Sequence, residues 1–147
     1  MNQRWHTINR WVRDIATGSL VILWLYASLT KIARFEKFLT EIRLQHLPAF
    51  MTTTLPYVLP AVEIVIAVGL LTSFTYKVAL YVSLCVLIIF TLYIFLGMSN
   101  VFDKRPCSCG GILEEMGWTT HFYFNIAFIF FNTITIYINQ KRRFRDR

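Results

Sequence analysis

The stretch Val78 to Met98, VALYVSLCVLIIFTLYIFLGM, decides the fold of this chain because it is long, apolar and free of charged residues. A helix needs roughly 20 apolar residues to cross a bilayer. Three further runs of this kind lie at 15–33, 56–74 and 118–138. We therefore predict four membrane-spanning helices in one domain, residues 1–147.

Composition supports a lipid environment for most of the chain. Hydrophobic residues make up 56% of the sequence and aromatic residues 16%, and the mean hydropathy is positive. Because backbone N–H and C=O groups must be satisfied inside lipid, we predict an all-α integral membrane four-helix bundle. The first run follows Arg4, Arg10 and Arg13, as in a signal peptide, but its length and the lack of a small-residue cleavage site favour a retained helix.

Basic residues divide unequally between the two sides of this bundle. Nine lie on the side of the termini: Arg4, Arg10, Arg13, Lys77, Lys141, Arg142, Arg143, Arg145 and Arg147. Six lie on the other side: Lys31, Arg34, Lys37, Arg43, Lys104 and Arg105. The positive-inside rule then predicts a bacterial inner-membrane protein with both termini cytoplasmic and the outer loops, 34–55 and 99–117, periplasmic. The net charge of +7 follows mainly from this bias, with membrane lipid rather than nucleic acid as the expected partner of the basic tail.

The first outer loop has a helical pattern of its own. Phe35, Phe38, Leu39 and Ile42 fall on one side of a helix, and charged residues fall on the other. This pattern predicts an amphipathic interfacial helix after the first span, either as a surface spacer or as a lid over a pocket at lipid level. The prolines at 48, 56 and 60 are expected to end that helix and shape the start of the second span.

Two opposite charges stand near the outer ends of the first two runs. Lys31 closes the first run, and Glu63 lies about two turns inside the second. Since charges in lipid need partners, we predict a Lys31–Glu63 ion pair within the bundle. The pair either holds the two helices together or carries protons for a redox reaction.

Polar residues on the fourth run share one helix face. They are Trp118, His121, Asn125, Asn132 and Asn139. This face is expected to point into the bundle. Asn132 and Asn139 are predicted as interhelical hydrogen-bond partners. His121, in the first turn, either takes part in chemistry or caps the helix.

The cysteines are the most reactive residues outside the runs. Cys107 and Cys109 are separated by one residue, so a disulfide between them would close a small, strained ring, which favours electron transfer. Two alternatives remain: a structural staple, or an incomplete metal site with His121, for which no metal is predicted. Cys85, inside the third run, is expected to be a small apolar packing residue.

These features together resemble the MauE/DoxX-type redox-associated membrane proteins, particularly forms from Bacteroidetes, over nearly the whole chain. The matching residues are Lys31, Pro60-Ala61-Val62-Glu63, and Pro106-Cys107-Ser108-Cys109-Gly110-Gly111 followed by Trp118, His121 and Asn125. The resemblance implies a four-helix membrane protein, similar in architecture to DsbB and vitamin K epoxide reductase and linked to disulfide formation or to the maturation of periplasmic proteins. It also implies that Cys107 and Cys109 are the redox pair.

We therefore expect a membrane thiol–disulfide oxidoreductase. A periplasmic thioredoxin-like protein or an exported cysteine-containing substrate would exchange with the Cys107–Cys109 disulfide. Electrons would then pass to membrane quinone, with His121 and Glu63 handling protons. Lys31, Glu63, Trp118 and Asn125 are the residues expected to bind the quinone.

The cysteine count leaves a second function class open. DsbB-like enzymes use two cysteine pairs, whereas this chain has only Cys85, Cys107 and Cys109. Either one pair meets both quinone and partner, or another protein supplies the second pair, or the protein is no oxidase. In the last case it would be a non-catalytic membrane subunit of a larger complex, and its cysteines would only staple a loop.

Overall fold

A computed structural model of the chain describes residues 2–44, 48–99 and 118–145. It contains five helices: α1 Asn2–Ala33, α2 Phe35–Arg43, α3 Ala49–Leu71, α4 Tyr76–Met98 and α5 Trp118–Arg145. No strand occurs in those ranges. Each of the four long helices contains a segment of 23 or 24 residues that is apolar enough to cross a membrane, about 35 Å at 1.5 Å per residue. The predicted all-α membrane bundle, with a short helix after the first span, is confirmed.

The four long helices form a closed ring in the order α1, α3, α4, α5. Each packs against its two neighbours in this ring, so α1 faces α4 across one diagonal. The hydroxyl groups of Thr17 and Tyr76 are 2.8 Å apart and tie α1 to α4 near the end of the bundle where α3 turns into α4. We call this end of the bundle the inner end and the opposite end the outer end. The short helix α2 packs on α3 and on α1.

The inside of the ring changes character along its length. Toward the inner end the buried side chains are apolar, with Leu20, Ala67, Leu70 and Leu80 in one cluster. Toward the outer end the buried side chains include Ser28, Lys31, Glu63 and Asn125. Many large apolar side chains point outward, as expected for helices surrounded by lipid. The buried charged residues, Lys31 and Glu63, therefore lie in the outer half.

Helix α3 begins at Ala49, well before the predicted start at Pro56, so the predicted loop 34–55 was too long. Pro48 caps the helix with an extended backbone, whereas Pro56 and Pro60 lie inside it and are buried. Membrane helices tolerate internal prolines because neighbouring groups can bond to the backbone around them. Separately, Ser28 Oγ of α1 donates to the Pro60 carbonyl at 3.2 Å and so ties α1 to this part of α3.

Helix α2 is amphipathic as predicted. Phe38 and Ile42 are buried against the bundle, and Glu36 and Lys37 are exposed. Phe35 also contacts Tyr57 of α3, with 5.3 Å between the ring centroids. The helix thus lies against the outer part of the bundle through its apolar side.

A tight turn joins α3 to α4 at the inner end. Thr75 Oγ1 in this turn donates to the Gly69 carbonyl at 3.0 Å. A Cβ atom added to Gly69 would lie 2.9 Å from the Ala79 Cβ, closer than such atoms approach in proteins. Gly69 therefore allows the two helices to pack closely, a common use of small residues in membrane bundles.

Candidate functional site

An ion pair joins α1 and α3 inside the bundle. Lys31 Nζ lies 2.7 Å from Glu63 Oε1, and the two side chains are 4% and 1% exposed. The pair that the sequence predicted is therefore present. Either charge alone would be expensive at this depth, so the two side chains depend on each other.

Lys31 reaches Glu63 by turning back along its own helix. Its Nζ also donates to the Ala27 carbonyl at 3.2 Å, one turn deeper in the bundle. The Phe38 ring of α2 covers the ammonium, with its centroid 5.9 Å from Nζ. A carboxylate, a carbonyl and an aromatic face thus surround the charge of Lys31.

Glu63 has only one of its two oxygens paired. Oε1 accepts the hydrogen bond from Lys31, whereas Oε2 has no hydrogen-bond partner within the described part of the chain. Buried polar atoms nearly always have a partner, because leaving one without costs about 1–3 kcal/mol. A free, buried carboxylate oxygen is therefore a candidate binding position for a hydrogen-bond donor.

The helix register places the backbone of Asn125 at the level of the Lys31 backbone. Trp24 on α1 bonds to Ser83 on α4, and Ser83 bonds to Asn132 on α5, so these three residues share one level. Seven residues nearer the outer end, about 10 Å along each helix, the corresponding residues are Lys31 on α1 and Asn125 on α5. Asn125 is 5% exposed and brings a buried carboxamide to the outer part of the bundle.

His121 stands one turn beyond Asn125 on the same face of α5. Its side chain is half-buried, and the charge of Lys31 acts on it. The structure thus brings four predicted site residues, Lys31, Glu63, Asn125 and His121, to the outer half of the bundle. Their roles in chemistry or quinone binding remain predictions.

The cysteine pair and Trp118 complete the predicted site. Cys107 and Cys109 lie outside the described residues, as does the side chain of Trp118, whose backbone begins α5. The segment that carries the cysteines joins Ser99 to Trp118 in the sequence. Its two attachment points are the outer ends of α4 and α5, the half of the bundle that holds the ion pair.

Cys85 differs from its expected role. The residue is exposed on α4 and faces away from the other helices, so it does not pack inside the bundle. A cysteine is apolar enough to sit on a lipid-facing surface. Across the described ranges, no group of three or more His, Cys, Asp or Glu residues could hold a metal ion.

A polar layer in the middle of the bundle was missed by the sequence analysis. Trp24 Nε1 donates to Ser83 Oγ at 2.8 Å, and Ser83 lies 2.9 Å from the carboxamide of Asn132. The amide orientation that satisfies every group has Asn132 Oδ1 accepting from Ser83 and Nδ2 donating to the Leu80 carbonyl at 3.3 Å. Of the three residues in this layer, Asn132 was predicted as an interhelical partner, and that prediction is confirmed. The same prediction for Asn139 stays a prediction.

Comparison with known proteins assigns the chain to a family. The sequence model of the family described as methylamine utilisation protein MauE matches residues 9–138. The chain belongs to the MauE family. The matched range in this MauE protein includes the first three spans, the fourth span as far as residue 138, and both residues of the ion pair. No curated protein and no solved structure matches the chain significantly.

Membership of the MauE family agrees with the fold. The four apolar helices and the family together identify a multi-pass membrane protein. The family's description refers to methylamine utilisation.

Proposed function

We propose that this protein exchanges disulfides with exported proteins through Cys107 and Cys109. The observation that carries the proposal is that the segment with Cys107 and Cys109 is attached to α4 and α5 at their outer ends, in the half of the bundle that holds Lys31 and Glu63. A thioredoxin-like protein or an exported substrate with two thiols is the expected partner.

The exchange reaction needs no reactant other than the two proteins. A partner thiolate attacks one sulfur of the Cys107–Cys109 disulfide, which gives a mixed disulfide and frees the other cysteine as a thiolate. The second partner thiol then attacks the mixed disulfide and leaves the partner oxidised. Cys107 and Cys109 end as two thiols, which have taken up two electrons and two protons.

Reoxidation of the two thiols requires an acceptor of two electrons and two protons, and membrane quinone is the proposed co-substrate. The described residues offer polar groups to its head, because Asn125 is buried and the unpartnered Glu63 Oε2 would accept a hydrogen bond from the hydroquinone formed there. Lys31 and Trp118 are the other residues proposed for this site. His121, half-buried between Asn125 and the cysteine segment, is proposed to move the protons.

The unequal distribution of basic residues between the two sides of the bundle supports an orientation in the membrane. We propose that the protein lies in the bacterial inner membrane with both termini cytoplasmic and the cysteine segment in the periplasm, where a disulfide persists.

The test is oxidation of a reduced thioredoxin-like partner by the full-length protein in lipid nanodiscs. Cys107→Ser and Cys109→Ser should each abolish quinone-dependent oxidation, whereas Cys85→Ser, which removes a lipid-facing cysteine, should leave it unchanged. Unchanged oxidation in both loop variants would refute the proposal.

The midpoint potential of the Cys107/Cys109 pair distinguishes a redox-active pair from a structural disulfide. A redox-active pair should titrate at roughly −200 to −100 mV and be reoxidised by added quinone. A disulfide that resists reduction below about −300 mV would identify a staple and favour the non-catalytic subunit instead.

A further inference from the structure

The free oxygen of Glu63 restricts the charge of any ligand that approaches it. An anion would meet the Glu63 carboxylate, and a cation would meet the Lys31 ammonium, 2.7 Å from Oε1. The carboxylate is 1% exposed, so water screens neither repulsion effectively. A neutral ligand is therefore the class that fits.

The same oxygen also restricts the hydrogen-bonding character of the ligand. A carboxylate in an ion pair offers only lone pairs, so its partner must supply a donor. A quinone carbonyl oxygen is itself an acceptor, so it could form no hydrogen bond with Glu63 Oε2. A hydroquinone hydroxyl would donate an O–H to it, and such charge-assisted bonds are about twice as strong as neutral ones.

We infer that Glu63 makes this site selective for the reduced form of the quinone, by accepting a hydrogen bond from a hydroquinone hydroxyl at Oε2. The identity of the ligand rests on the function proposed above. The atom that sets the preference for the reduced form is Glu63 Oε2. Lys31 holds the carboxylate in place through Oε1, and Asn125 borders the same level of the bundle.

Selectivity for hydroquinone would shift the reaction while the ligand is bound. Oxidation of two thiols to the Cys107–Cys109 disulfide releases two electrons and two protons, which convert one quinone to one hydroquinone. A site that binds the reduced form more tightly stabilises that bound product. Each tenfold preference raises the potential of the bound two-electron couple by 29.6 mV. Glu63 would therefore favour the disulfide while hydroquinone is bound, whereas the equilibrium with free quinone stays unchanged, because a catalyst does not alter it.

The surroundings of the pair suit a ligand that dissolves in lipid. On the outer side, Phe38 and Ile42 of α2 are 4% and 3% exposed and shield Lys31 from water. The outward faces of the spanning helices are apolar. A hydroquinone with a hydrocarbon tail would reach the bundle through the membrane and needs no aqueous route.

The test compares the binding of a decyl-substituted benzoquinone with that of its hydroquinone. Dissociation constants would be measured without oxygen by tryptophan fluorescence quenching on the full chain in nanodiscs. The hydroquinone should bind about tenfold more tightly or better. In Glu63→Gln the new amide donates as well as accepts, so the ratio should fall close to one.

Two controls make the result specific to Glu63. Glu36→Gln changes an exposed glutamate on α2 and should keep the hydroquinone preference. The double variant Lys31→Met/Glu63→Leu removes both charges together, which buried pairs often tolerate, and should lose the preference while it remains folded.

The measurement is made on a Cys107→Ser/Cys109→Ser background, so no thiol can exchange electrons with the ligand. A hydroquinone preference there would stand even if the cysteines proved structural. Equal affinity for the two forms, no binding of either form, or a preference that persists in Glu63→Gln would overturn the inference.

Discussion

Ser83 is the residue on which the middle of the bundle depends. Its hydroxyl accepts a hydrogen bond from Trp24 of α1 and donates one to Asn132 of α5, so one side chain of α4 links three helices. All three residues are buried, with exposures of 2% or less. Hydrogen bonds between membrane helices contribute about 0.6–2 kcal/mol each.

We expect Ser83→Ala to destabilise the protein by about 1–3 kcal/mol, because it leaves the Trp24 N–H and the Asn132 amide without their shared partner. Reversible unfolding in mixed micelles would measure the change. Thr133→Ala is the matched control, since the Thr133 hydroxyl is exposed and bonds only to its own helix at Ile129. A loss in Ser83→Ala no larger than that in Thr133→Ala would contradict the proposed link.

Sequence and structure agree best where a residue is chemically conspicuous. Lys31 and Glu63 could be paired from the sequence because opposite charges in apolar runs need each other. Trp24 and Ser83 could not, because their contact depends on the register of helices that are not adjacent in the ring. Asn132 was assigned to the interior from helical periodicity, but its partner required the same register.

At the scale of elements, helix ends were harder to predict than helices. The apolar run from Pro56 suggested the start of α3, but the helix begins at Ala49 because Pro56 and Pro60 are accommodated inside it. The extra turns place Tyr57 beside Phe35 of α2. Polar threonines at 52–54 hid this extension, since hydropathy alone does not distinguish a polar helix start from a loop.

Two glycines in long helices should respond oppositely to alanine. Gly69→Ala would place a Cβ 2.9 Å from the Ala79 Cβ, so α3 and α4 must separate, and we expect a loss of about 1–3 kcal/mol. Gly18→Ala meets nothing within 4 Å and should be neutral or stabilise α1 by about 0.5–1 kcal/mol. Thermal unfolding of both variants in one detergent would check the difference, and a similar shift in both would refute the close packing of α3 on α4.

At the scale of the whole molecule, the outer half of the bundle holds the buried ion pair and both attachment points of the cysteine segment. The inner end holds the α3–α4 turn and the exposed Lys77 and Lys141. The two ends of the bundle therefore differ in chemistry, although the four spans alone look alike.

Labelling of intact cells with a membrane-impermeant maleimide should report this asymmetry directly. After mild reduction, Cys107 and Cys109 should react from outside, whereas Cys85 should stay unlabelled because lipid surrounds it. Ser73→Cys, in the exposed α3–α4 turn, should react only after the cells are opened. Reaction of Ser73→Cys in intact cells would invert the proposed topology.

The layer formed by Trp24, Ser83 and Asn132 has a consequence for the energy supply of the cell. Its hydrogen bonds run in one direction, from an indole N–H that only donates to the Leu80 carbonyl, which only accepts. Neither an indole nor an amide readily takes up a proton and passes it on. The hydrogen bonds of these three residues therefore offer no route for protons. Protons handled at Glu63 and His121 would be exchanged with the outer side alone, and the transmembrane proton gradient would not leak through this part of the bundle.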